Sequence, residues 1–170
     1  METAEKLVEL LKKLGLTITT VESCTGGYII STITDVEGAS DITPGGYVTY
    51  SNQQKRAIGV SDKIIEEYGV YSSECAEAMA KAGFRNTGAD LSIGVTGTFS
   101  NVDPHNDDSV SGVVYFSVIF HAEQAIAGKI NVPILMERSK QKQFVTEVVL
   151  KRVLEVIESI YNALLNNEGE

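Results

Sequence analysis

Thr17-Ile18-Thr19-Thr20-Val21 reads as a short β-strand, and Tyr28-Ile29-Ile30-Ser31-Thr32-Ile33 reads as a helix. Between them stands Glu22-Ser23-Cys24-Thr25-Gly26-Gly27. At such a turn a serine can point out of the sheet edge, and the amides that follow face the same space without intrahelical partners. One hexapeptide can thus supply a nucleophile and its anion-stabilising donors. The plainer alternative is that Ser23 or Thr25 caps the helix and the glycines permit a tight turn.

Outward from this turn, strands and helices alternate. Ala4, Leu7, Val8, Leu11 and Leu14 share one helical face, with Gly15 as the stop. Pro44-Gly45-Gly46 marks a turn, Tyr47-Val48-Thr49-Tyr50 a strand, and Ser51-Asn52 the start of a helix through Ala57. Residues 61–68 and 73–87 read as helices, the second with Ser72 and Glu74 at its start. Leu91 to Val95 reads as a third strand, followed by Thr96-Gly97 and a polar loop to Ser111. Val113 to Phe120 and Ala125 to Val132 read as a hairpin around His121-Ala122-Glu123-Gln124. Phe144, Val145, Val148, Val153, Ile157, Ile160 and Leu164 recur at helical spacing from Ser139 to Leu165.

This order predicts an α/β fold, a layered α/β/α sandwich on a mixed sheet with at least one antiparallel pair. Residues 1–165 form one domain in this reading, and 166–170 a polar tail. In open α/β sheets, sites gather beyond the carboxyl ends of strands. Three such ends carry Ser23 with Thr25, Tyr50 with Asn52, and Thr96 with Gly97.

Composition narrows the function. The chain has 170 residues, 43% of them hydrophobic, enough for a core. Its formal charge of −9 and pI of about 4.7 oppose binding to a nucleic-acid backbone. No apolar run approaches the roughly 20 residues that span a bilayer, and the amphipathic N-terminal segment lacks a signal-peptide profile. The expected location is the cytoplasm, without membrane association. Cys24 and Cys75 suggest neither a disulfide framework nor a zinc site, and Cys75 reads as a small core residue.

A serine nucleophile needs a base, and histidine is the usual one. The two histidines, His105 and His121, fall in a polar loop and a hairpin turn. Lysine is the alternative, provided that desolvation or neighbouring cations lower its pKa. Lys55 lies one helical turn beyond the strand end at Tyr50 and Asn52, and so can reach the same pocket mouth. The opposing reading is an ordinary solvated lysine. Cys24, at a helix N-terminus, is a competing nucleophile, with a buried packing thiol as its plainer reading.

These motifs together resemble the CinA C-terminal domain family, the nicotinamide-nucleotide amidases or nicotinamide mononucleotide deamidases. The resemblance rests on Glu22 to Gly27, on Thr34-Asp35-Val36 with Gly38 and Ser40, and on Thr49-Tyr50-Ser51-Asn52 with Lys55 and Gly59-Val60. Gly69-Val70 with Ser72, Gly88-Ala89-Asp90, Thr96-Gly97 and the acidic-Arg pair Glu137-Arg138 extend it over essentially the whole chain. It implies a stand-alone version of that domain, which hydrolyses the carboxamide of nicotinamide mononucleotide to nicotinate mononucleotide and ammonia. In that case Ser23 is the nucleophile, with Lys55 and Tyr50 as base and proton-relay partners. Thr25, Gly26, Gly27, Asn52, Thr96, Gly97 and Arg138 bind substrate. Unpaired amides from Thr25 to Gly27 would hold the oxyanion or the phosphate, with Arg138 as a cationic fork. No metal or cofactor is required, and the expected partners are a small nucleotide and further copies of the chain, a dimer or higher.

One segment departs from the family. A Gly-Pro and paired-Gly loop followed by Lys-Pro-Val-Gly usually comes after the Thr-Gly pair, whereas this chain has Thr98 to Gly112, with Asp103, Asp107 and Asp108. The loop is expected to border the pocket, and its acidity to disfavour a bare phosphate. As a calcium loop it fails at its sixth and twelfth positions, Asp108 and Val114; a bound cation and a plain solvated turn both remain open. The departure also keeps open a module that binds nucleotide without turnover. A third reading is an interaction protein acting through the long C-terminal helix.

Overall fold

The structure, a computed structural model, describes residues 2–167. Helix α1 (Glu2–Leu14) buries Ala4, Leu7, Val8 and Leu11, the face that its spacing predicts, and Gly15 follows in the left-handed conformation. Full burial of a leucine stabilises by about 1.5–3 kcal/mol, so this stripe fixes the helix to the sheet more firmly than its propensity does.

Five strands form one mixed sheet in the order β2-β1-β3-β4-β5. Strands β1 (Ile18–Glu22), β2 (Gly45–Val48) and β3 (Leu91–Thr98) run parallel; β4 (Val113–Phe120) and β5 (Glu123–Asn131) continue it antiparallel. Every residue of β1 is buried. Because side chains alternate across a strand, Ile18, Thr20 and Glu22 face one side and Thr19 and Val21 the other.

Helices cover both faces. α1, α2 (Tyr28–Thr34) and α6 (Arg138–Asn167) pack with Ile18, Ile93, Val95, Val114 and Phe116 into the larger core. On the opposite face lies α5 (Ser73–Thr87), with α4 (Asp62–Tyr68) against it, around Val21, Val60, Val70, Cys75 and Met79. A side chain at Gly94 of β3 would collide with the Ala76 carbonyl and the Ala80 amide, so glycine there lets α5 sit close on the sheet. The short α3 (Asn52–Ala57) follows β2, with Ser51 as its cap, accepting from the Gln54 amide.

Several boundaries differ from the sequence reading, each for a pairing reason. β1 takes in Glu22, because that residue pairs with Val95 on one side and Val48 on the other. β2 occupies Gly45–Val48 rather than Tyr47 to Tyr50, since β1 offers no partner beyond Glu22. β3 runs on through Thr96-Gly97 to Thr98, because β4 pairs with it as far as Val113. The β4–β5 hairpin closes through His121 and Ala122 alone, both at positive φ, as a two-residue hairpin turn of this hand requires. α6 includes Asn166 and Asn167 of the expected tail; Glu168, Gly169 and Glu170 lie outside the described residues. Among the described residues, no helix is long and apolar enough to cross a membrane.

Candidate active site

The connection from β1 through α2 leads to β2 on one face of the sheet, and that from β2 through α5 leads to β3 on the other. The carboxyl ends of β1, β2 and β3 thus meet where the crossovers diverge, the place where open sheets hold ligands. Ser23 sits there, its amide still bonded to the Val95 carbonyl at 2.9 Å, and it is 5% exposed.

Lys55 is among the largest fully buried side chains of the described residues, 2% exposed although it belongs to a six-residue surface helix. Its Nζ lies 3.0 Å from Ser23 Oγ and donates to the Thr49 carbonyl at 2.8 Å. The solvated-lysine alternative is therefore excluded. Burial lowers the Lys55 pKa, while Asp103 and Asp108 partly oppose that shift. Burial also pushes Cys24 up to about 12 and Cys75 up to about 11, so both neighbouring thiols stay neutral at physiological pH. A thiol held that high does not supply a thiolate, which argues against Cys24 as the nucleophile.

Two of the three amides assigned to the substrate, those of Gly26 and Gly27, are already occupied. Glu22, fully buried, turns its carboxylate under the first turn of α2. Oε2 accepts from the Gly27 and Ile29 amides at 3.0 and 3.1 Å, and Oε1 from the Ile30 amide at 2.9 Å and the Thr20 hydroxyl at 3.0 Å. The helix N-terminus holds an internal anion, so Gly27 offers nothing to a phosphate. The Gly26 amide bonds to the Ser23 carbonyl at 3.0 Å, and Thr25 is fully buried. Thr25, Gly26 and Gly27 do not line the cavity. The Cys24 and Thr25 amides, by contrast, donate to no oxygen among the described residues.

Glu22→Ala would strip acceptors from three amides, those of Gly27, Ile29 and Ile30, and from the buried Thr20 hydroxyl. We expect a loss of about 3 kcal/mol or more, read as a lower denaturant midpoint with unchanged slope. An unaltered midpoint would show that the cap is dispensable.

Ser23 opens into a cavity of about 590 Å³ lined by Lys55, Cys24, Tyr50, Asn52, Gly97 and Arg138, with Tyr71 and most of residues 98–106. Tyr50 is 60% exposed, and its hydroxyl accepts from Arg138 Nη2 at 2.8 Å. Among the described residues it has no hydrogen bond to Ser23 or Lys55, so the geometry places it at the mouth beside Arg138 rather than in a relay. Arg138 also lies over the Phe99 ring, 5.2 Å from its centroid. Thr96 is removed from the substrate-binding set: inside β3, its hydroxyl donates to the Val70 carbonyl at 2.6 Å on the α5 side. The next residue, Gly97, does reach the cavity.

A model of the CinA C-terminal domain matches residues 1–157. This chain belongs to the CinA C-terminal domain family. A CinA-like protein of Colwellia psychrerythraea is 45% identical over 95 residues, 55% of this chain and 22% of that one. Another, of Solibacter usitatus, is 34% identical over 142 residues, 83% of this chain and 33% of that one. The chain thus spans a third or less of the length of the curated relatives it matches. The crystal structure of a competence or damage-inducible protein from Enterobacter asburiae superposes with a TM-score of 0.84 at 25% identity, covering 92% of this chain and 96% of that one.

Within this CinA domain the loop that follows Thr98 forms a cavity wall through Asn106. Asp103 accepts from the Tyr71 hydroxyl, the Asn106 side chain and the His105 amide. Asn106 in turn accepts from Asn52 at 2.8 Å. Asp108 takes the Tyr71 amide at 2.8 Å and, with Asp107, faces a separate groove beside Glu66, Glu67 and Tyr68. Most of the loop's acidity is therefore turned away from the cavity, contrary to the expectation of an acidic rim. Glu22 and Tyr71 received no site role from the sequence, and Asp103 and Asn106 only a place in the loop expected to border the pocket. Glu22 stood in the quoted motif, and its carboxylate just before a helix start was the available signal. Tyr71 carried none, because its partner Asp103 is remote in sequence, and the local bonds of Asp103 to His105 and Asn106 leave no periodicity to read.

Proposed function

We propose that this CinA domain is an amidohydrolase acting on nicotinamide mononucleotide, releasing ammonia and nicotinate mononucleotide. The observation that carries the proposal is the buried contact between Lys55 Nζ and Ser23 Oγ. A lysine desolvated beside a serine at a strand end is arranged to accept the hydroxyl proton, and the Thr49 carbonyl holds its amine in place.

Neutral Lys55 takes the proton as Ser23 Oγ attacks the carboxamide carbon. The tetrahedral intermediate's oxygen is met by the Cys24 amide, which borders the cavity beside Ser23, a donor type worth about 3–4 kcal/mol in such sites. Lys55 returns the proton to the leaving nitrogen, the C–N bond breaks and ammonia departs from an acyl-Ser23. Water, deprotonated by Lys55, then cleaves the ester. Arg138, with Tyr50 on its guanidinium, binds the phosphate at the mouth. The test is ammonia release from nicotinamide mononucleotide by the purified protein. Nucleotide binding with no ammonia would favour the non-hydrolytic module instead.

The required state of Lys55 sets the pH dependence. Protonation removes the base, so kcat should fall as pH drops through the Lys55 pKa and level off above it. Burial puts that midpoint below the ordinary lysine value of about 10.4. A kcat profile with no acidic limb, or with one in the ordinary lysine range, would contradict the assignment.

A further inference from the structure

We propose that Asp103 makes the cavity select a ligand whose aromatic ring carries a positive charge, as a specificity-determining residue for a quaternised pyridinium carboxamide. The proposal rests on the amidase reading of the same site and names a property that this reading leaves open.

Among the described residues lining the cavity, Asp103 is the one carboxylate; Lys55 and Arg138 are the lysine and arginine there. It is half-buried and held from three directions. Oδ1 accepts from the His105 amide at 2.8 Å, and Oδ2 from the Tyr71 hydroxyl and from Asn106 Nδ2 at 2.6 Å. A carboxylate bound this way cannot swing into solvent, yet it keeps acceptor capacity, since its two oxygens offer about four sites. These bonds favour the charged form and outweigh the effect of burial, leaving its pKa lowered.

The ligand therefore meets a fixed anion at Asp103 and a separate cation at Arg138, which is tied to Tyr50 on α6's side of the cavity. A neutral ring would cover Asp103 without compensating its charge, whereas a ring alkylated at nitrogen supplies the counter-charge in a partly desolvated space. A zwitterion with an anionic group at one end and a cationic ring at the other fits both. Nicotinamide mononucleotide has that charge pattern; its 1,4-dihydro form keeps the shape of the nucleotide and loses the ring charge.

The test is calorimetric binding of both forms to Ser23→Ala protein, which removes turnover, with and without Asp103→Asn. With Asp103 present, the charged-ring form should bind about 10-fold or more tightly than the dihydro form, and Asp103→Asn should bring the ratio towards one. Tyr71→Phe, which cuts one tether but leaves the charge, should preserve the preference. The inference is overturned if the ratio survives Asp103→Asn, if no preference exists, or if neither form binds. Ammonia release by the unaltered protein is measured separately. Hydrolysis with an unchanged ratio sinks this inference alone, while ring-charge selection without hydrolysis sinks the amidase reading alone.

Discussion

Ser23→Ala protein should fold normally and lose ammonia release from nicotinamide mononucleotide by at least about 10³-fold, a conservative figure for a deleted nucleophile that acts with its base as a unit. The fold should survive, because the substitution only trims the hydroxymethyl group to a methyl and Lys55 keeps its bond to the Thr49 carbonyl. Cys24→Ala, at the next position, should retain most activity. Its thiol is buried and held near 12, and the backbone amide proposed for the oxyanion remains. The two variants side by side separate serine from cysteine chemistry at one turn; the reverse pattern would reassign the nucleophile.

The second large effect concerns Lys55. Lys55→Ala removes the group that accepts the Ser23 proton and leaves the hydroxyl at its ordinary, weakly nucleophilic state, so kcat should drop by about 10² to 10⁴. Lys55→Arg should not rescue it. A guanidinium does not deprotonate in this range, and its five N–H donors require more acceptors than the two oxygens at Ser23 and Thr49 provide. Circular dichroism must show folded protein in both cases. An arginine variant with near-normal turnover would mean that the lysine supplies positive charge rather than basicity.

Much of the fold was legible because the chain's periodicities are local. The apolar stripe of α1, the run from Ser73 to Thr87 and the strand from Val113 to Phe120 all stand where the pattern puts them. What pairing decides was not legible. Thr96 looked like the first residue of a site loop, yet β4 extends β3 past it and turns its hydroxyl to Val70.

The candidate site divides in the same way. Ser23 and Lys55 were readable from a turn motif and a spacing, whereas the burial of Lys55 depends on α3 closing over the end of β1. The glycine-rich amides looked available because the sequence does not say that Glu22 folds back beneath α2 and occupies them. The segment from Thr98 to Ser111 has no period to read. Its order comes from Tyr71 and Asn52, each far away along the chain.

The most direct test of the central claim is rapid acid quench of the protein during turnover of nicotinamide mononucleotide, followed by peptide mass spectrometry. The account predicts a nicotinoyl-nucleotide ester on the peptide that contains Ser23, localised to Ser23 and absent from Ser23→Ala protein. An adduct on Cys24, or steady ammonia release by Ser23→Ala protein at the wild-type rate, would contradict it.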